Sequence, residues 1–316
     1  MSGLLFSVII CTYNRADLLA QALETVCQQT LPKERYEIIV VDNNSTDHTS
    51  EVVKRCQAAY SNVFYYLDQE AGSSHARNWG ARKARGQYLA FLDDDCKAPE
   101  GWLAVAVEVV DRAAPGVFGG PYYPFYMTEK PKWYKDEYAS LNLGNTAGVL
   151  APTQHLSSGN MLIKRSIFEQ AKGFRTDLGL VGKQIGYGED TMLVEWVRTN
   201  LPQAMIYYEP RLFVYHLVRA EKMDLSKMMK RRFIHGRYSY LMSDGGQPGM
   251  RLRHIAGLLA APLLFLSSCT LGLTLRSRQQ YPYAQNYLYE KAFYWVGVMG
   301  RLSERLRAVF KREDRE

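Results

Sequence analysis

FSVIIC, residues Phe6–Cys11, is a short, uncharged, β-branched run of the kind that forms a strand buried on both faces of a parallel sheet. Runs of the same type return as EIIVV (Glu37–Val41), VFYYL (Val63–Leu67) and YLAFL (Tyr88–Leu92). Helical patterns fill the gaps. Leu18, Leu19, Ala22, Leu23 and Val26 form one apolar stripe. Asn14 reads as the N-cap of that helix, with Asp17 completing part of a capping box. The polar turn Asn43–Asp47 leads into a second helix ending near Tyr60, and a third covers Ala76–Ala84. Strand and helix alternate four times before Asp95, which predicts a doubly wound α/β sheet.

Outward from this core the pattern loosens. Residues 119–157, rich in Gly, Pro and Tyr, read as a long loop with short strands. Met161–Lys164 reads as a strand, Ser166–Ala171 as a short helix and Thr191–Thr199 as a helix, with strands at Ala204–Tyr208 and Leu212–Tyr215. Beyond His216 the composition changes, so we expect one domain over 1–218 and a helical region over 219–316. The second part holds a basic aromatic helix over Asp224–Met242 and a 21-residue charge-free stretch, Ile255–Leu275. An aromatic, apolar stretch (Tyr287–Met299) and a basic amphipathic tail (Arg301–Lys311) follow.

Charge separates the same two parts. The chain of 316 residues carries 39 Lys+Arg and 32 Asp+Glu, a net +7. From Arg219 onward there are 18 basic and 8 acidic residues, or +10, which leaves −3 for the rest. A basic end beside a charge-free run suggests an anionic partner. Basic residues flank Ile255–Leu275 on both sides (Arg251, Arg253 and Arg276, Arg278), so the run has no clear topology across a bilayer. We expect it to lie at a membrane surface, peripheral or monotopic, on the cytoplasmic side. A true span or a buried core hairpin are the alternatives. No base-reading or stacking motif points to nucleic acid.

With 47% hydrophobic and 22% charged residues and no short repeat, disorder and solenoids are excluded. Five cysteines without a CxxC pair suggest a reducing compartment and no zinc site. Cys11 and Cys27 fall in apolar patterns where a thiol packs. No basic region precedes Phe6, so no signal peptide is expected.

In open α/β sheets ligands bind at the carboxyl ends of the strands. Polar groups gather at those ends: Thr12, Tyr13 and Asn14 after the first run, Asp42 after the second, Asp93, Asp94 and Asp95 after the fourth. Each alone can be a cap or turn. Three adjacent carboxylates repel unless a cation or strong donors offset them, and hard oxygen ligands suit Mg²⁺ or Mn²⁺. Neither GxGxxG after the first run nor GxxxxGK[ST] anywhere is present, so a diphosphate has no glycine loop to hold it. Ser157–Asn160 is a turn or a site loop. Glu189 or Asp190 can cap the following helix or act as a general base. His216 can end a strand or bind a metal.

Six segments in order, SVIICTYNR (Ser7–Arg15), VVDNNSTD (Val40–Asp47), ARNWG (Ala76–Gly80), YLAFLDDD (Tyr88–Asp95), SSGNMLIKR (Ser157–Arg165) and GYGEDTML (Gly186–Leu193), resemble the inverting family 2 glycosyltransferases over about residues 5–237. The resemblance implies a GT-A fold, a Rossmann-like, doubly wound mixed sheet. It implies Thr12 and Tyr13 at the nucleoside, Asp42 on the base, Arg77 near base or phosphates, and Asp93 and Asp94 at the donor. It implies Asp95, Asp93 and His216 at a Mg²⁺ or Mn²⁺ ion, and Asp190 as the base. The expected reaction moves a hexosyl group from a nucleoside-diphosphate sugar, a UDP-sugar foremost, to a saccharide or lipid-linked acceptor in polysaccharide or glycolipid assembly. A nucleotidyltransferase and a non-catalytic, membrane-tethered sugar-nucleotide-binding protein are the competing readings.

Overall fold

The computed structural model describes residues 3–180, 186–243 and 252–313. They fall into two compact units. The first contains 3–125, 139–180 and 189–217, and the second contains 126–138, 186–188 and the described residues from 218 onward.

In chain order the first unit runs β1 (Phe6–Thr12), α1 (Ala16–Cys27), β2 (Tyr36–Asp42), α2 (Thr49–Ala59), β3 (Val63–Leu67), α3 (Ser73–Lys83), β4 (Tyr88–Asp93), β5 (Cys96–Lys97), α4 (Trp102–Ala113), β6 (Val117–Gly119), β7 (Tyr122–Phe125), β8 (Gly148–Val149), β9 (Asn160–Lys164), α5 (Arg165–Gln170), α6 (Glu189–Asn200), β10 (Ile206–Tyr208) and β11 (Val214–Leu217). The eight-stranded sheet has the order β3-β2-β1-β4-β9-β6-β10-β8. Its first four strands are parallel, and β9 inserts antiparallel between β4 and β6. Alternate residues of each strand serve opposite faces. Phe6, Val8 and Ile10 join one core with Leu19, Leu23, Val53 and Trp102. Ile9 joins the other with Ala76, Phe168, Leu193 and Val194. A continuous apolar run therefore serves two cores at once.

The first helix starts differently from its sequence expectation. Asn14 does not cap it. Its backbone is left-handed (φ 52°), which Asn tolerates, and its Oδ1 accepts the Thr46 N–H at 2.7 Å. The helix begins at Ala16, whose N–H donates to Asp47 Oδ2 at 3.0 Å. The cap thus comes from the loop after β2. Helix α4 has no counterpart in the sequence reading. Its Val-rich turn buries Trp102, Leu103, Ala106, Val109 and Val110.

At the amino ends of the strands Glu37 is buried. Its carboxylate accepts Ser7 Oγ–H at 2.6 Å, the Arg85 N–H at 2.7 Å and Arg85 Nε–H at 2.8 Å. Glu37→Ala takes their acceptor away from the buried Ser7 hydroxyl and the Arg85 backbone N–H. We expect a loss of about 3 kcal/mol, read as a lower urea midpoint with unchanged slope. A midpoint within error of wild type would show that this cluster contributes nothing.

The second unit holds α7 (Leu225–Ser243), α8 (Leu252–Ser267), α9 (Ala284–Tyr287) and α10 (Phe293–Glu313). The Tyr287–Met299 stretch and the basic tail are not separate elements, since α10 runs through Arg301 to Glu313. Helices α7 and α10 approach backbone to backbone. A Cβ at Gly236 would overlap the Gly297 carbonyl, and one at Gly300 the Phe233 carbonyl. Residues 126–138 dock here through Asn286, whose Nδ2 donates to the Trp133 carbonyl and to Tyr138 Oη. Helix α8 contains Pro262 and continues as a π-turn over Ser268–Gly272. The segment His254–Gly272 is long and apolar enough to cross a membrane, yet only 6% of it is buried. Arg251 lies outside the described residues.

Candidate active site

The strand register puts the polar ends side by side. Thr12 pairs with Asp42 across β1 and β2, and Cys11 pairs with Asp93 across β1 and β4. Asp94 follows and is 3% exposed. It accepts Thr12 Oγ1–H and Arg15 Nη1–H, both at 2.8 Å. Burial pushes its carboxyl up to about 6; Arg15 opposes the shift and Asp95 adds to it. Arg15 also reaches Asp95 at 3.7 Å.

Asp95 is buried and lies 3.3 Å from His216 Nε2. A second sheet, β5-β11-β7, makes this contact. It pairs His216 with Cys96 in antiparallel register, and the Leu217 N–H donates to the Asp95 carbonyl. The His216 ring packs 5.4 Å from that of Tyr122. Ligand atoms of Asp93, Asp95, Cys96 and His216 lie within 4.8 Å of one another. Two carboxylates, an imidazole and a thiol at such separations fit a divalent cation.

Arg77 sits beside this cluster, its side chain 11% exposed. It donates to Asp93 Oδ1 at 2.8 Å and Glu189 Oε1 at 3.2 Å. Burial raises the Glu189 carboxyl, Asp190 adds to that and Arg77 opposes it. Asp190 lies next, in the first turn of α6. Its Oδ1 accepts the Thr191 N–H at 2.7 Å and its Oδ2 the Ser158 N–H at 3.2 Å. Gly159 continues the contact, because a Cβ there would stand 2.7 Å from Asp93 Oδ2. A side chain larger than hydrogen at 159 would push Asp93 aside.

The remaining candidates divide. Tyr13 is 49% exposed. Asp42 is buried, accepting the Ser45 N–H at 2.8 Å and Tyr65 Oη–H at 2.7 Å. Asn160 is a structural tie, holding Trp102 Nε1–H and the Pro121 and Leu212 carbonyls. Sequence reasoning missed Arg15 as a partner of the aspartates and missed Cys96 in the cluster. It also missed Asp68, which follows β3 directly beside the end of β2, where Asp42 is the last residue. Asp68 Oδ2 is 2.8 Å from His75 Nδ1, and His75 Nε2 is 2.8 Å from Glu70. The strand-end rule that flagged Asp42 applies equally to Asp68.

Residues 7–171 match the model of the family described as Glycosyl transferase family 2. Among curated relatives, Glycosyltransferase AglE of Haloferax volcanii is 40% identical over 115 residues, 36% of this chain and 38% of the relative. The chain therefore spans little more than a third of that protein's length. The GalNAc(5)-diNAcBac-PP-undecaprenol beta-1,3-glucosyltransferase of Campylobacter jejuni is 28% identical over 225 residues, 69% of this chain and 67% of the relative. Among solved structures, the mannosyltransferase PcManGT from Pyrobaculum calidifontis, in complex with GDP-Man and Mn²⁺, superposes with a TM-score of 0.62 at 19% identity, covering 98% of this chain and 87% of that one. By the family match and by its sheet, the chain belongs to the family 2 glycosyltransferases and has their GT-A fold.

Proposed function

We propose that this chain is a metal-dependent, inverting hexosyltransferase that uses a nucleoside-diphosphate sugar, with a UDP-sugar as the expected donor. The observation that carries the reading is one line of contacts: Asp95 and His216, Asp93, Arg77, then Glu189 and Asp190. It runs along the carboxyl ends of the strands, where open sheets bind ligands. Thr12, Tyr13 and Asp42 take the nucleoside, and Asp42 accepts an N–H of the base. Asp94, fixed by Thr12 and Arg15, faces the ribose. Arg77 supplies positive charge beside the diphosphate. Asp95, Asp93 and His216 would hold Mg²⁺ or Mn²⁺, which when bound supplies Lewis-acid stabilisation of the diphosphate.

Asp190 is oriented by two backbone N–H groups, and its remaining lone pairs accept the acceptor hydroxyl proton. As that oxygen bonds to the anomeric carbon, the bond from that carbon to the diphosphate oxygen breaks. The proton ends on Asp190. A single displacement of this kind inverts the anomeric configuration. We expect UDP to raise the melting temperature with Mn²⁺ and to raise it little in EDTA. Equal stabilisation in both would remove the metal from this reading.

The division of labour follows residue 218, with the catalytic domain before it and the helical region after it. Exposed Ile255, Leu259, Leu263 and Leu266 line one face of α8, which no soluble surface favours. We place that face in the cytoplasmic leaflet, with the basic residues of this part meeting anionic headgroups at roughly 1 kcal/mol each. That placement suits an acceptor carried on a lipid. A carrier of that kind is named for the C. jejuni relative. The full chain should pellet with anionic liposomes, and high salt should release it only in part, because salt screens the charges and leaves the apolar contact. Complete release at high salt would show that α8 does not enter the lipid.

A further inference from the structure

The proposed metal ligands leave one donor of the cluster unused. Cys96 is 1% exposed, and its Sγ is among the four ligand atoms lying within 4.8 Å of one another. Its position is fixed by backbone, since β5 pairs Cys96 with His216. We propose that the Cys96 thiolate is a fourth metal ligand, and that it turns the site from hard ions such as Mg²⁺ towards borderline ions such as Co²⁺ and Zn²⁺. The proposal rests on the glycosyltransferase reading of the same site.

The chemistry follows from ligand softness. Mg²⁺ demands near-octahedral oxygen and keeps much of its water. Carboxylate, imidazole and thiolate together match Zn²⁺ and Co²⁺ better, and four donors suffice for them. On coordination the thiol proton passes to solvent, and a metal–sulfur bond replaces a bond to water. Cys11 is the rival thiol to be controlled for, because it pairs with Asp93 across β1 and β4.

The test is Co²⁺ titration of the full chain, with and without UDP, followed by visible and near-ultraviolet absorption. We expect d–d bands in the visible and a sulfur-to-cobalt charge-transfer band in the near ultraviolet. Cys96→Ser should lose the charge-transfer band and keep the d–d bands, whereas Cys11→Ser should keep both. Wild-type protein loaded with Zn²⁺ provides a second readout that needs no variant: X-ray absorption should show one sulfur scatterer at about 2.3 Å. Co²⁺ binding without a charge-transfer band, or a band lost in Cys11→Ser and kept in Cys96→Ser, overturns the Cys96 assignment and leaves the metal site standing. No Co²⁺ binding even with UDP overturns both.

Discussion

Asp190→Asn is expected to lower kcat by about 10²-fold or more while donor affinity stays near wild type. The substitution keeps the shape of the side chain and one oxygen for the Ser158 or Thr191 N–H, so the loop and the first turn of α6 have little reason to move. It removes the carboxylate proposed to accept the acceptor proton. The two parts of the result are separable. Donor binding is read from the thermal shift with UDP and Mn²⁺, turnover from steady-state kinetics. Near-normal turnover would move the role of base away from Asp190. Glu189 is the neighbouring candidate, but its carboxylate is committed to Arg77.

Arg77→Leu is expected to cost about 3–5 kcal/mol of stability, the range for removing one partner of a buried ion pair. Asp93 and Glu189 would then confront each other across an apolar side chain. Adding Glu189→Gln should restore part of the loss, and the double-mutant cycle measures how much of the cost is repulsion. The pH dependence has a definite sign. Glu189 is already raised by burial in the folded protein. A carboxyl raised on folding stabilises below its ordinary value, and that contribution is lost as pH rises through the raised value. The penalty in Arg77→Leu should therefore be small in acid and grow towards neutrality. A penalty that does not vary with pH, or no recovery in the double variant, would mean that Arg77 acts through packing alone.

The parallel half of the sheet was legible because each strand had to satisfy two cores, which forces runs such as FSVIIC and EIIVV. The triple aspartate was legible because nothing but chemistry or a cap explains three carboxylates after such a run. Other features depend on partners far away in the chain. The true cap of α1 is Asp47, not Asn14, because the loop after β2 folds back onto the helix start. Cys96 carries no signal of its own until β11 is laid against it. Arg15 looks like the first residue of a helix until Asp94 arrives. Segment 126–138 looks like loop until Asn286, Tyr289 and Glu290, far along the chain, give it a place. Local pattern reports burial well; it does not report which distant strand will supply a donor.

The small sheet that joins Cys96 to His216 also sets an order of events during synthesis. The two residues are 216 − 96 = 120 positions apart. At about 5–20 residues per second, the aspartates leave the ribosome's active centre roughly 6–24 s before the imidazole that neighbours them. The four parallel strands are all synthesised by Asp93, so they can pair with one another before β11 emerges. During that interval the nascent chain can hold its four parallel strands while the proposed metal site still lacks His216. Its core can therefore begin to form before the proposed cation site is complete.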